Sequence, residues 1–194
     1  MMRKLTLRLR ALLATLVFLI AAPAHAAVEI TFYSRELGTQ FPHAFVVLEG
    51  TPDRGGERID ANYGFTATHV TPAVLFGSVR GEVGPVGDGY VRASDPHFSL
   101  TLNDEEYDLV MATIARWSAL DQPSYNLNRR NCVHFIADVA ASLGMTAEVP
   151  RNLTRRPRSL IQSLIRANGD WLAQRGARIL REPGEERGRR RDAA

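Results

Sequence analysis

Apolar positions along the chain follow a strand-like period in the first hundred residues and a helical period beyond them. Val28-Glu29-Ile30-Thr31-Phe32-Tyr33 alternates as a half-buried strand does, and Ala44-Phe45-Val46-Val47-Leu48 is an apolar run compatible with a central strand. The turn-forming run Thr51-Pro52-Asp53-Arg54-Gly55-Gly56 separates it from Arg58-Ile59-Asp60-Ala61-Asn62-Tyr63-Gly64-Phe65, which reads as a strand hairpinning back. Thr71-Pro72 opens a short helix to about Phe76, because proline is preorganised for the first helical position. Residues 77–95 read as loop, with a strand around Tyr90-Val91-Arg92, and Phe98 to Leu102 is strand-like again.

The period then becomes helical. Asn103 caps a helix with Asp104, Glu105 and Glu106 in its first turn and an apolar face of Tyr107, Val110, Met111, Ile114 and Trp117. Asn131 caps a second, whose face is Cys132, Phe135, Ile136, Val139 and Leu143, with Gly144 as its C-cap. A third starts at Pro157, carries Leu160, Ile161, Leu164, Ile165, Trp171 and Leu172, and breaks near Asn168-Gly169. It packs back on the domain in this reading, although a basic amphipathic helix is also the pattern of a membrane-surface one. The class is α+β: an antiparallel sheet packed against the helix that bears the cysteine.

The first 26 residues change the picture of compartment. Arg3, Lys4, Arg8 and Arg10 precede the apolar run Ala11 to Ala22 and the small-residue Ala24-His25-Ala26, the layout of a cleavable secretory signal peptide. The expected product is periplasmic or secreted and has no membrane span after cleavage, because the apolar run has 12 residues where a span needs about 20. The formal charge of +3 belongs to the whole chain; without the four basic residues of the leader it becomes −1. Acidic residues outnumber basic ones sixteen to eight over 27–150, and basic ones lead twelve to five over 151–194. The basic end consists of isolated arginines and one cluster, Arg187 to Arg191, in a Gly- and Glu-containing terminus, which argues against nucleic acid. The organisation expected is a signal peptide over 1–26, a catalytic domain over 27–150, an amphipathic helical extension over 151–182 and a disordered Arg-rich tail over 183–194.

Cys132 is the only cysteine. In an exported chain it has no intramolecular disulfide partner, and a helix N-terminus favours thiolate, which suits a nucleophile. A thiol nucleophile needs a base. His134 diverges from Cys132 on the same helix and is expected to pair with Asp138, and His97 follows Asp95-Pro96 in what reads as a solvated turn. His43 opens the most apolar strand and is the preferred base. Asp60 and Asn62 share one face of the next strand and are the candidates to orient His43, Asp60 preferred, with His69 as an outsider. The oxyanion would take the Cys132 amide and one more donor, Asn131 or Tyr33. No metal or other cofactor is implied, because the histidines are scattered.

Asn131-Cys132-Val133-His134-Phe135 resembles the Asn-Cys-x-His-Phe signature of the lecithin:retinol acyltransferase-like branch of the NlpC/P60 superfamily, the circularly permuted papain-like fold. The chain order also resembles it, with a strand-opening histidine, a polar residue on the next strand and a late cysteine helix. The resemblance implies a Cys132 nucleophile, a His43 base and Asp60 or Asn62 as third residue. The second histidine common in lipid acyltransferases is missing around Gly55-Gly56, and 159–180 is too polar to span a membrane. The chain is thus closer to exported bacterial relatives. The implied function is a cysteine amidase or endopeptidase on peptidoglycan peptide. The alternatives are a thiol hydrolase or acyltransferase of lipid or lipoprotein acyl esters, a non-catalytic envelope-binding module, and a secreted toxin. An apolar groove would point to an acyl chain and an open polar cleft to a peptide.

Overall fold

The computed structural model describes residues 27–36, 41–69 and 71–184. The expected leader and residues 185–194 of the expected tail lie outside the described residues. Six strands, β1 (Val28–Arg35), β2 (His43–Gly50), β3 (Ile59–Ala67), β4 (Gly81–Gly84), β5 (Asp95–Leu102) and β6 (Arg178–Ile179), form one antiparallel sheet in the order β4-β3-β2-β1-β5-β6. The helices are α1 (Asp88–Arg92), α2 (Asp104–Ser118), α3 (Cys132–Ser142), α4 (Pro157–Ala167) and α5 (Gly169–Gln174). The architecture is α+β.

Strand alternation sorts the sheet into two faces. Ile30, Phe32, Ala44, Val46, Leu48, Phe98 and Leu100 turn to the helices and share a core with Ile114 and Trp117 of α2, Phe135, Ile136 and Val139 of α3, and Leu160, Ile161 and Leu164 of α4. Phe32 stacks on Phe98 within it, ring centroids 4.4 Å apart. That core runs from Val28 to Leu172, so segment 151–182 is built into it through α4, and through β6 at the sheet edge. The apolar face of α4 is therefore spent on the sheet. On the other face Phe45 is fully buried between Tyr33 and Tyr90, with centroids at 5.3 and 6.0 Å.

Two segments differ from expectation. The glycines at 81 and 84 belong to a strand: Gly81 pairs with Ala67 and Gly84 with Gly64, and a Cβ at Gly81 would meet Phe65 and Ser124 at 2.7 Å. Tyr90-Val91-Arg92 is the end of the single helical turn α1, not a strand.

Candidate active site

Asn131 begins α3. Its Oδ1 accepts from Val133 N–H at 2.9 Å and its Nδ2 donates to Leu127 O at 2.7 Å and Thr154 O at 2.8 Å. Both amide hydrogens are thus engaged, so Asn131 fixes the helix start and is not the expected free oxyanion donor. Cys132, the first helical residue, is 4% exposed. The backbone N–H groups of Ala44, Val133 and Cys132 itself lie close to its sulfur. These favour thiolate, as expected of a helix N-terminus, but burial outweighs them and pushes the thiol up to about 11. The thiolate expected at rest is corrected to a thiol.

His43 is the first residue of β2. Its imidazole stacks on Phe45, centroids 6.1 Å apart, and meets Tyr90 edge-on at 6.4 Å. It lies so close over Gly64 that a Cβ there would sit 2.5 Å from Nε2. Burial pushes its pKa down to about 4, which leaves a neutral imidazole at pH 7. Ala44 turns to the core while His43 and Phe45 turn to the other face. The Ala44 N–H close to the sulfur belongs to the peptide that follows His43, so the thiol, on the core side, and the base, on the other face, both lie near the start of β2. Among the described residues no hydrogen bond joins the two side chains.

The proposed orienting residues are not beside His43. The β2-β3 hairpin pairs Val46 with Tyr63, Val47 with Asn62 and Glu49 with Asp60. Asp60 is exposed six residues along β2 from His43, about 20 Å at strand rise. Asn62 is four residues along, about 13 Å, and its amide clamps Val86 through Nδ2 to O at 3.1 Å and N–H to Oδ1 at 2.6 Å. Both share the face of His43, as alternation requires, but register carries them away from it. The β3 neighbours of His43 are Gly64, and Thr66, which lines a cleft with it. Tyr33 stacks on Phe45, and burial raises its hydroxyl, with Glu49 and Glu29, toward the ends of β1 and β2 away from His43, adding to the rise. It is not placed to serve Cys132.

The other described histidines lie elsewhere. His69 is exposed, with Nδ1 2.6 Å from Thr68 O. His134 Nδ1 lies 3.0 Å from Asn131 Oδ1, while Asp138 accepts from Trp117 Nε1 at 2.9 Å. His97, expected in solvent, is fully buried at a bulge of β5 against Ser34, with Nε2 2.8 Å from Ser34 Oγ.

A cleft of about 860 Å³ opens above His43. Its wall includes Phe41, Pro42, Ala67, Val74, Val83, Pro85, Val86 and Leu127, with Tyr90 and Tyr125 among them; Glu82 is the one charged side chain lining it among the described residues. The Tyr90 and Tyr125 hydroxyls are raised mainly by burial, and both respond to charge on Cys132. These tyrosines escaped the sequence reading, although Tyr125 opens the Tyr125-to-Cys132 run and is brought in by its backbone pairing with Val79. Among the described residues no group of histidine, cysteine and carboxylate side chains is arranged to hold a metal, and no helix is long and apolar enough to cross a membrane.

No family model, curated protein or solved structure matches the chain.

Proposed function

We propose that the protein is an exported thiol acyl hydrolase or acyltransferase of the permuted papain-like type, acting on an envelope substrate with an apolar acyl group. The observation that carries this reading is the Cys132 sulfur close to the peptide following His43, with His43 itself in the wall of a cleft that also carries Phe41, Val74, Val83, Val86 and Leu127. In this reading neutral His43 takes the thiol proton as sulfur attacks the acyl carbon. The carbonyl π electrons move to oxygen, and the Cys132 backbone N–H and the Tyr125 hydroxyl receive that oxyanion. Collapse expels the leaving group, which takes the proton from His43. Water or an acceptor hydroxyl then gives its proton to His43 as it attacks the acyl carbon, and the departing sulfur takes that proton back from His43. Gly64 leaves no side chain to orient Nε2, so the packing of Phe45 and Tyr90 holds the ring in place of a third polar residue.

Cleavage of an envelope amide, such as peptidoglycan peptide, ranks second; Glu82 in the cleft wall favours it, as a carboxylate able to meet an amino group. The test is hydrolysis of p-nitrophenyl esters from acetyl to dodecanoyl, beside soluble muropeptides, by the chain without residues 1–26. The expected result is ester cleavage that rises with chain length and disappears in Cys132→Ser and His43→Ala. Muropeptide cleavage with no ester preference would select the amidase, and no cleavage of either would select a binding module.

A further inference from the structure

We infer that the rim of the cleft is a docking surface for an anionic phospholipid bilayer. Leu75 and Phe76, next to the cleft residue Val74, project into solvent with 57% and 88% of their surface exposed, and Phe41 of the cleft wall is 51% exposed. Adjacent apolar side chains exposed to that degree are unusual on a soluble surface. The segment that carries them continues into the backbone pairing of Val79 with Tyr125, and Ser78 Oγ accepts from Asn126 Nδ2 at 3.1 Å. Asn128 Oδ1 in turn accepts from Arg155 Nη2 at 2.6 Å, and Asn131 Nδ2 reaches Thr154 O, so 71–81, 122–131 and 150–156 form one continuous rim.

The charge of these segments has one sign, with Glu82 of the cleft wall beside them. Segments 71–81, 122–137 and 150–169 contain no aspartate or glutamate. Arg129, Arg130, Arg151, Arg155 and Arg156 are all exposed there, and among the described residues none of the five reaches a carboxylate within salt-bridge distance. A polyanion such as nucleic acid would use the arginines but has no need of Leu75 and Phe76. An anionic bilayer uses both, with guanidinium groups at the phosphates and the apolar pair in the acyl boundary. The surface is distinct from the membrane-lying helix suggested by the pattern of 157–172, whose apolar residues Leu160, Ile161 and Leu164 are in the core.

The test is vesicle flotation of the chain without residues 1–26 against phosphatidylglycerol and phosphatidylcholine vesicles, an assay independent of catalysis. Flotation with phosphatidylglycerol only is expected, weakened by salt. Leu75→Ser with Phe76→Ser keeps every charge and is expected to weaken it about tenfold. Arg129→Gln, Arg130→Gln, Arg151→Gln and Arg156→Gln together are expected to weaken it by about tenfold or more, with near-ultraviolet circular dichroism unchanged. Failure to float, or flotation unaltered in either set, as when the arginines of 187–191 are responsible, overturns the inference. Equal loss of heparin and vesicle binding in the arginine set, with no effect of the serines, assigns a polyanion site and overturns it as well.

Discussion

Burial moves Cys132 and His43 in opposite directions on the pH scale, the thiol up to about 11 and the imidazole down to about 4, and both shifts favour the uncharged form. A resting thiolate-imidazolium pair is therefore not the ground state. Iodoacetamide alkylation of Cys132 is expected to rise with a midpoint above the ordinary thiol value near 8.5, and His43→Ala should leave it in place, because His43 carries no charge above about pH 4. A midpoint below the ordinary value that climbs in His43→Ala would establish the ion pair instead. Gly64 offers a second handle at this scale. A methyl at Gly64 would stand 2.5 Å from His43 Nε2 and 3.1 Å from the Phe45 Cβ, and the imidazole is the part able to move. Gly64→Ala should therefore reduce thiol-dependent ester hydrolysis about tenfold or more while moving the melting temperature by only a few degrees. Retained activity would show that the ring position over Gly64 is irrelevant to the reaction.

At the scale of elements, the cysteine helix and its cap were legible because Asn131 and the 132-135-136-139-143 spacing are local signals. The strand opened by His43 was legible for the same reason. Asp60 and Asn62 were misjudged because side-chain period reports which face a residue takes, whereas register reports how far along the strand it sits. The turn residues held the missing information: a hairpin folded about Arg54-Gly55 pairs Val46 with Tyr63 and carries His43 toward Thr66. Tyr125 and the burial of His97 depend on pairings across many residues, with Val79 and with β1, which no window of sequence displays. Asn131 links these elements, joining α3 to the loop before it and to Thr154. Replacing it by alanine removes a cap worth about 1 kcal/mol and leaves the Leu127 and Thr154 carbonyls without their partner. A loss of roughly 3 kcal/mol is expected in urea unfolding. A loss below about 1 kcal/mol would mean that water replaces the side chain and that the helix start is not held by it.

Across the whole molecule, the C-terminal segment closes on the sheet where β1 and β5 carry their buried polar groups. Leu180 and Arg181 N–H both donate to His97 O, at 2.8 and 3.1 Å, Arg181 Nη2 meets Asp95 at 2.9 Å, and Arg178 meets Glu29 on β1. Beneath them His97 Nδ1 has no hydrogen-bond partner among the described residues, and the His97 pKa falls to about 4, mainly through burial and then through the positive charges of Arg181 and Arg158, with Asp95 opposing. An imidazole in the unfolded chain titrates near 6.5, so between these values the unfolded state holds more protons. Stability is intact above pH 6.5 and declines as the pH falls toward 4, with His97 alone contributing up to about 3 kcal/mol of that decline. His43 shifts the same way, again through burial, and adds to it. The urea midpoint at pH 4.5 should therefore lie well below that at pH 7. His97→Gln, less stable at pH 7 for want of the ring, should show roughly half the acid-induced drop. An undiminished drop in His97→Gln would place the acid sensitivity elsewhere in the fold and remove His97 as the group that ties the C-terminal strand to neutral pH.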